Sequence, residues 1–241
     1  MSGPAAVIPA TREALDGLPV EVAPLLLGAV LETVVDAERV AVRITEVEAY
    51  AGKGTGDRVD PGSHARMGRT RRNATMWGEP GHLYVYLSHG IHSCVNVVCG
   101  PEGVAGGLLL RGGEVVAGAD VATRRRLAAR PAARRAAASG AVPADAAPLP
   151  PRDLARGPGR LGDAVGLRHP VHDGIDAVTG REQAGAVARL LLPDEPIAEF
   201  ESGPRVGVAG VAGTAAFPWR FFVPGDPTVS AFRWGRGARA L

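Results

Sequence analysis

Residues 40–50 constrain the fold of this chain most, because they form an apolar strand that ends in acidic side chains. Alternate side chains of a strand lie on the same face. One face is therefore predicted to carry two aliphatic residues, two carboxylates and a phenol: Val42, Ile44, Glu46, Glu48 and Tyr50. A solvated strand end would explain the polar part of this row. The tyrosines, histidine and arginines of the next turn and strands favour a functional site instead.

Length and composition bound the class of protein. The 241 residues, of which 46% are hydrophobic, suffice for one domain or at most two with a substantial core. No apolar run reaches the roughly 18 residues of a membrane span, and the first nine residues do not resemble a secretory signal. Cys94 and Cys99 fall on opposite faces of a strand, which argues against a local disulfide. These features predict a protein of the reducing cytoplasm that has no membrane partner.

Positive charge is clustered, although the net charge is only +2. Arg66, Arg69, Arg71 and Arg72 form one group, and residues 124–135 contain a second. Such clusters suit contacts to phosphates. Lys53 is the only lysine of the chain, so part of the arginine content reflects a general bias. A solvated basic face therefore stays the alternative.

The spacing of apolar residues predicts many short strands and few helices. Strands are expected at residues 31–35, 40–50, 82–88, 91–99, 105–111, 186–192, 204–208, 219–223 and 229–232. Helices are expected at residues 20–28 and 120–130. In the strand 82–88, Leu83 and Val85 alternate with Tyr84 and Tyr86, which gives one apolar face and one face lined by tyrosines. We predict a mixed α/β (α+β) fold with a curved, largely antiparallel sheet flanked by helices.

The domain is expected to span residues 20–234. Residues 1–19 are predicted to be a disordered tail and residues 235–241 a loose one. Residues 134–151, which are rich in Ala and Pro, are predicted to form a flexible surface insertion.

Two loops carry further candidate residues. The long loop at residues 52–68 contains His64, and irregular loops of this length are commonly functional or disordered. Gly157, Pro158 and Gly159 precede an amphipathic helix, whose free amides suit a phosphate. The second signal is weak by itself, because many helices begin in this way.

Glu48 is the candidate general base. A carboxylate at the end of a buried row can activate a water, which contributes roughly a hundred- to ten-thousandfold to a rate. Flat side chains on which a base can stack are Tyr50, His64, Tyr84 and Tyr86. Asn96 can hydrogen-bond a base edge. This combination, flanked by arginines, suits hydrolysis at a nucleobase extruded from DNA.

A series of short motifs runs through nearly the whole chain, from about residue 23 to residue 230. In order they are Glu46-Val-Glu-Ala-Tyr50, Ser63-His64, Arg72-Asn73, Met76, Gly81, Leu83-Tyr-Val-Tyr86, Gly90, Cys94, Asn96, Leu109-Leu-Arg111, Gly157-Pro158, Leu161 and Arg205-Val206-Gly207. Together they resemble the alkyladenine (3-methyladenine) DNA glycosylase family, bacterial type. Glu-Ala-Tyr followed by Leu-Tyr-Val-Tyr at this spacing is a specific signal.

The resemblance implies a monomeric repair enzyme without a metal or organic cofactor. It implies excision of alkylated and deaminated purines from double-stranded DNA at the nucleoid, by hydrolysis that leaves an abasic site. Glu48 would deprotonate the attacking water, and Arg111 would help to hold Glu48 and that water in place. Tyr50 and Tyr86 would enclose the flipped base. Other base contacts are implied for His64, Leu109 and Asn96, and Asn96 would exclude guanine by a clash with its 2-amino group. Phosphate contacts are implied for Arg69, Arg71, Arg72, Tyr84, Gly157, Gly159 and Arg160.

The chain departs from the family at His89. The family usually has a tyrosine there, which wedges into the duplex in place of the flipped nucleotide. We predict that His89 acts as this wedge with weaker lesion capture, the alternative being an exposed turn residue. His92 also stands where the family often has an aromatic residue, and its role stays open.

Lysine scarcity bears on the mechanism. Glycosylases that also cleave the strand use an amine to form a Schiff base. Lys53 lies in a glycine-rich loop and nothing marks it as desolvated. We therefore predict hydrolysis without a lyase step.

Three other functions are compatible with parts of the pattern. A metal site at His82, His89, His92 and Cys94 matches no zinc spacing, and His89 and His92 would point to opposite faces. A purine nucleoside hydrolase would use the same base pocket but not the arginines. A silent damaged-DNA-binding module would not need an acid and an arginine in the pocket.

Overall fold

Within the described residues of this chain, ten strands form one sheet. The computed structural model describes residues 6–57, 59–130 and 148–238. The strands are β1 (Val7–Pro9), β2 (Val30–Val35), β3 (Glu38–Ala51), β4 (His82–Ser88), β5 (His92–Val98), β6 (Gly106–Ala117), β7 (Ile175–Asp176), β8 (Ala186–Pro193), β9 (Glu201–Gly203) and β10 (Arg220–Phe222). The α-helices are α1 (Arg12–Leu15), α2 (Pro19–Val22), α3 (Ala119–Ala128) and α4 (Pro158–Val165). Short 3-10 helices lie at Ala23–Leu26, Ala74–Trp77, Pro151–Asp153 and Gly210–Gly213.

The sheet is antiparallel and built around β3. The order along it is β1-β8-β2-β3-β6-β5-β4-β7. β3 pairs with β6 along one edge, and with β2 and then β10 along the other, while β9 extends β10. This arrangement confirms the predicted mixed α/β class with an antiparallel sheet. No helix in the described residues is long and apolar enough to cross a membrane.

The hydrophobic core lies on one face of the sheet. Val47 of β3, Leu83 of β4 and Val97 of β5 belong to it and are fully buried. Leu161 and Val165 place one side of α4 in the same cluster. The tyrosine face of β4 is therefore the opposite one, as its alternation predicts.

A β-bulge breaks the row that we expected on β3. Thr45 of β3 and Arg111 of β6 each lack a partner in the register between the two strands. The extra residue reverses the alternation, so Val42 and Ile44 join the core while Glu46 turns to the other face. The prediction that Val42 and Ile44 share a face with Glu48 and Tyr50 is therefore wrong, whereas Glu46 does share that face.

The segment before residue 20 is folded from residue 6 on, so the prediction of a disordered tail is wrong there. β1 adds to the edge of the sheet beside β8. Arg12 donates from Nη2 to Asp176 Oδ2 at 2.8 Å, and Leu15 is fully buried. These contacts come from residues distant in the chain, which local sequence patterns do not reveal.

The last described residues also differ from the prediction of a loose tail at 235–241. The Gly207 N–H donates to the Arg233 carbonyl at 2.8 Å, and the Gly210 N–H donates to the Arg236 carbonyl at 3.0 Å. Ala238 is fully buried. Residues 233–238 therefore pack against residues 207–213.

Three more predicted elements differ in the structure. The expected helix at 20–28 is split into α2 and a 3-10 helix that contains Pro24. Residues 204–208 and 229–232 are not strands, because the Val206 and Ser230 N–H groups donate to carboxylates of β3 instead. The predicted insertion at 134–151 lies outside the described residues up to residue 147.

Candidate active site

A row of facing residues crosses the sheet opposite the core. The members, in order from β4 through β5, β6 and β3 to β10, are Tyr84, Asn96, Leu109, Glu48 and Arg220. Residues that oppose one another in a sheet have their side chains on the same face. Strand register thus brings four of the predicted site residues together.

Glu48 is fully buried, and both of its oxygens are held. Oε1 accepts from the Val206 N–H at 2.6 Å, and Oε2 accepts from the Tyr50 hydroxyl at 2.8 Å. Burial and the Glu48 carboxylate raise the pKa of Tyr50 well above its usual value. The phenol therefore keeps its proton and remains a donor. These contacts fix the orientation of the carboxylate.

Arg111 joins Glu48 to a second carboxylate. Its Nη1 donates to Glu48 Oε2 at 3.3 Å, and its Nε donates to Glu46 Oε1 at 3.2 Å. Burial alone would lower the pKa of Arg111, but the two carboxylates outweigh it and raise the pKa above the ordinary value. The guanidinium is thus a fixed positive charge beside Glu48. Arg111 is the residue of β6 that has no partner at the bulge, and the bulge directs its side chain toward Glu46 and Glu48.

Glu46 is a site residue for which we predicted no role. It is fully buried and accepts from Arg220 Nε at 2.6 Å, from the Ser230 N–H at 2.8 Å and from Arg111. Burial alone would raise the pKa of Glu46, but Arg111 and Arg220 outweigh it and lower the pKa. Glu46 therefore helps to hold Arg111 beside Glu48. Its position two residues before Glu48 was the available signal.

A cavity of about 800 Å³ opens beside this cluster. Predicted site residues that line it are Tyr50, His64, Arg72, Tyr84, Tyr86, His89 and Asn96. Met76, Val208 and Ala209 add apolar wall. Glu48, Arg111 and Leu109 do not line the cavity, and Glu48 reaches it through the hydroxyl of Tyr50. The volume lies within the usual range for small-molecule sites.

Aromatic side chains form one side of the cavity. The Tyr84 and Tyr86 rings stack with centroids 5.5 Å apart, and the His64 ring meets Tyr86 edge-on at 4.7 Å. Burial and Asp173 raise the pKa of Tyr84 to about 12. Burial, with the nearby Arg66 and Arg72 charges, lowers the pKa of His64. At neutral pH the cavity therefore presents neutral rings. Tyr84, predicted as a phosphate contact, is buried inside it.

Asn96 has one amide hydrogen engaged. Its Nδ2 donates to the Tyr84 carbonyl at 3.0 Å, across the pair of strands β4 and β5. This bond fixes the plane of the amide at the cavity wall.

A buried ion pair supports the cavity from behind, and sequence reasoning missed it. Arg205 and Asp60 are joined by two hydrogen bonds, at 2.6 and 2.8 Å, and both side chains are fully buried. The Arg205 guanidinium also lies 4.5 Å from the centroid of the Tyr50 ring. The pair thus ties the loop that carries His64 to the segment that carries Val206.

His89 occupies the tip of the hairpin between β4 and β5. It has a φ of 51° and Gly90 has a φ of 69°, as in a tight hairpin turn. The flanking Leu87 and Ile91 are large apolar residues that are 41% and 50% exposed. The tip therefore projects an imidazole and two aliphatic side chains at the mouth of the cavity.

Of the predicted phosphate contacts, Arg72 and Tyr84 line the cavity, and the others do not. Arg69, Arg71 and Arg72 are exposed. At the start of α4 the Gly157 N–H donates to the Arg111 carbonyl at 2.8 Å, so this amide is not free for a phosphate. Gly159 and Arg160, in the first turn of the helix, have amides without an acceptor in the helix.

The proposed rival metal site has no support in the residues that the structure describes. Among them, no three His, Cys, Asp or Glu side chains lie close enough together to hold a metal ion.

Comparison with known proteins assigns the chain to a family. The model of the methylpurine-DNA glycosylase (MPG) family matches residues 13–227. A protein of Leifsonia xyli subsp. xyli is 48% identical over 92% of each chain, and one of Nocardia farcinica is 46% identical over 86% of this chain and 84% of its own. A protein of Streptomyces avermitilis is 41% identical over 93% of this chain and 92% of its own. All three are named as candidate 3-methyladenine DNA glycosylases. The chain therefore belongs to the methylpurine-DNA glycosylase family of DNA repair N-glycosylases, which confirms the resemblance in its motifs.

Proposed function

We propose that this protein flips a damaged purine out of double-stranded DNA into the aromatic cavity and hydrolyses its N-glycosidic bond. The observation that carries the proposal is the buried Glu48–Arg111 pair, joined to the cavity by the hydroxyl of Tyr50. An acid–arginine pair in that place has no purpose in a module that only binds damaged DNA.

The chemical step needs one base and one water. Glu48 takes a proton from the water, whose oxygen forms a bond to C1′ of the deoxyribose. The bond between C1′ and the purine nitrogen breaks, and its electron pair leaves with the base. Arg111 holds the carboxylate in place, and Glu46 holds Arg111. General-base assistance of this kind contributes roughly a hundred- to ten-thousandfold.

The cavity favours a cationic leaving base. A 3-methylated adenine carries a positive charge and leaves readily, so one carboxylate suffices where glycosidases of neutral sugars normally use two. The electron-rich faces of Tyr50 and Tyr86 attract a cation. Because its pKa is lowered, His64 is neutral at pH 7 and does not repel the base. We therefore assign alkylated purines as the main substrate class and place Tyr50 and Tyr86 on either side of the base.

Asn96 would exclude guanine, one of the two normal purines. Its amide is fixed by the Tyr84 carbonyl, so it cannot turn away from a base edge. We propose that it clashes with the 2-amino group of guanine. Leu109, its neighbour on β6, supports the same wall.

The DNA backbone contacts surround the cavity. We assign phosphates to Arg69, Arg71 and Arg72 on one side, and to the first turn of α4 on the other. A single copy of the site contains every group of the mechanism. We accordingly propose a monomer that acts on chromosomal DNA in the cytoplasm.

The reaction is expected to stop at the abasic site. Lys53, the only lysine, is exposed in the loop and does not line the cavity. Incubation of a lesion duplex should therefore yield strand breaks only after alkali, and borohydride should trap no covalent DNA adduct. A trapped adduct would show Schiff-base chemistry and refute the monofunctional mechanism, whereas base release without it supports hydrolysis.

Replacing His89 tests the wedge. His89→Ala is expected to weaken binding to a lesion duplex about tenfold, since the stacking of one base on a ring is worth about 1–3 kcal/mol. The measurement is fluorescence anisotropy with duplexes that do and do not contain hypoxanthine. His82→Ala, at the other end of β4 and outside the cavity lining, is the matched control. Equal affinity of wild type and His89→Ala for the lesion would refute the wedge.

A further inference from the structure

Residues 232–238 form a surface that the family model does not cover. Residues 232–238, here called the C-terminal arm, lie beyond the family match at 13–227. Their sequence, Phe-Arg-Trp-Gly-Arg-Gly-Ala, alternates aromatic and basic residues with glycine. Aromatic and cationic side chains in alternation suit a nucleic-acid strand, which offers both bases and phosphates.

The C-terminal arm is attached by hydrogen bonds to a segment of the cavity wall. Backbone hydrogen bonds connect Arg233 to Gly207 and Arg236 to Gly210, on either side of Val208 and Ala209. Both of those residues line the base cavity. The arm is therefore held within one backbone hydrogen bond of the segment that would face the flipped base.

Gly235 allows the C-terminal arm to approach the backbone of Val208 closely. A Cβ added at Gly235 would lie 1.9 Å from the Val208 carbonyl oxygen, which is far inside van der Waals contact. Only a glycine permits the approach. The arm thus has a defined position beside the cavity.

The arm encloses a second, open cavity of about 610 Å³. Its lining consists of Arg233, Trp234, Gly235, Arg236 and Gly237. Trp234 is 45% exposed and its ring meets Phe232 edge-on at 4.8 Å. Both arginines are exposed, and the described residues offer neither guanidinium an ion-pair partner. In the described part of the chain, two arginines without an ion-pair partner and an exposed indole therefore lie on a segment that is hydrogen-bonded to the ends of Gly207–Gly210, which carries Val208 and Ala209 of the base cavity.

We propose that the C-terminal arm is a further DNA-binding surface that holds the strand next to the flipped nucleotide. Arg233 and Arg236 bind consecutive backbone phosphates, and Trp234 packs against an adjoining sugar or base. The inference rests on the proposed function, because it is the flipped base in the first cavity that brings the strand to the second. DNA is the partner that fits, since the arm is hydrogen-bonded to the segment that carries Val208 and Ala209 of the cavity wall, and its charge is complementary to phosphate.

Salt dependence tests the two arginines. Each phosphate contact adds about 0.9 to the slope of log K against log salt for duplex DNA. Arg233→Ala and Arg236→Ala are each expected to lower the slope by about 1, and the double variant by about 2. Arg181→Ala is the matched control, because Arg181 is exposed and lines neither cavity. The affinity is measured by anisotropy on a lesion duplex and on an undamaged one.

Trp234 is tested by a pair of variants. Trp234→Ala is expected to weaken binding to the lesion duplex about tenfold, whereas Trp234→Phe retains a ring and most of the affinity. Thermal unfolding of each variant separates a loss of binding from a loss of folding. Equal losses in the two variants would show a structural role and not a stacking one.

The outcomes separate this inference from the proposed function. Excision by wild type together with reduced slopes in the arginine variants supports both. Excision by wild type with unchanged slopes in the double variant overturns the arm as a DNA surface and leaves the proposed function intact. No excision by wild type from any damaged duplex overturns the proposed function itself, whatever the slopes.

Discussion

Glu48→Gln is expected to lower the single-turnover rate of base excision by about a hundred- to ten-thousandfold. Glutamine keeps the size of the side chain but cannot accept the proton of the attacking water. It also ends the charge pairing with Arg111, which lies 3.3 Å away. The rate is measured on a duplex that contains one hypoxanthine, read as alkali-sensitive strand cleavage with enzyme in excess.

Two controls accompany this variant. Glu201→Gln removes an exposed carboxylate on β9 and should keep the wild-type rate. Thermal unfolding of Glu48→Gln checks folding, because the Val206 N–H and the Tyr50 hydroxyl both donate to this side chain. A folded Glu48→Gln that retains the wild-type rate within a few-fold would remove Glu48 from the role of base.

Arg205→Met is expected to destabilise the protein by about 3–5 kcal/mol, the usual effect of leaving one partner of a buried ion pair uncompensated. Asp60 would remain fully buried without its two hydrogen bonds from the guanidinium. The free energy of unfolding is measured in urea. Because Arg205 also packs on the Tyr50 ring, a loss of lesion affinity should accompany the loss of stability.

A surface pair and a double variant complete that test. Arg39→Met breaks a pair with Glu32 whose arginine is 56% exposed, and exposed pairs contribute only about 0–1 kcal/mol. The double variant, with Arg205→Met and Asp60→Leu, should lose less free energy of unfolding than the sum of the losses in the two single variants. If Arg205→Met costs no more than Arg39→Met, the ion pair does not support the cavity.

The candidate site could be predicted from sequence where strand alternation and register decide it. Tyr84 and Tyr86 alternate with Leu83 and Val85. The two-residue period of a strand was therefore enough to predict that the tyrosines share the face that lines the cavity. Asn96 was predicted on the same face as these tyrosines, because β4 and β5 form a hairpin and the turn of a hairpin fixes the register of its strands. The family match supports the enzyme class that these residues indicated.

Irregular backbone was not predictable in the same way. The bulge at Thr45 and Arg111 is marked in the sequence only by a switch of the apolar residues from even positions, up to Ile44, to odd positions, from Val47 on. Because residues 40–50 were interpreted as one regular strand, Val42 and Ile44 were placed on the wrong face. Local patterns also do not show that the backbone at Val206 and Ser230 serves carboxylates instead of forming strands. In each place a buried carboxylate that needs donors overrides strand propensity.

Contacts between distant segments were missed for a related reason. Asp60 and Arg205 are 145 residues apart, and only the folded chain shows that they meet. The ends of the domain also pack through partners far along the chain, β1 on β8 and residues 233–238 on residues 207–213. Residues 235–238 alone have the polar, glycine-rich character of a tail.

The central claim is that this protein releases a damaged purine from DNA by hydrolysis. The decisive measurement compares two substrates at the same enzyme concentration, with the released base detected by chromatography. One is a methylated duplex, from which free 3-methyladenine would be released, and the other is the free nucleoside inosine, from which hypoxanthine would be released. We predict release from the duplex, an abasic strand that stays intact until alkali is added, and no release from inosine. Release from inosine alone, or tight binding to the duplex without any release, would contradict the claim.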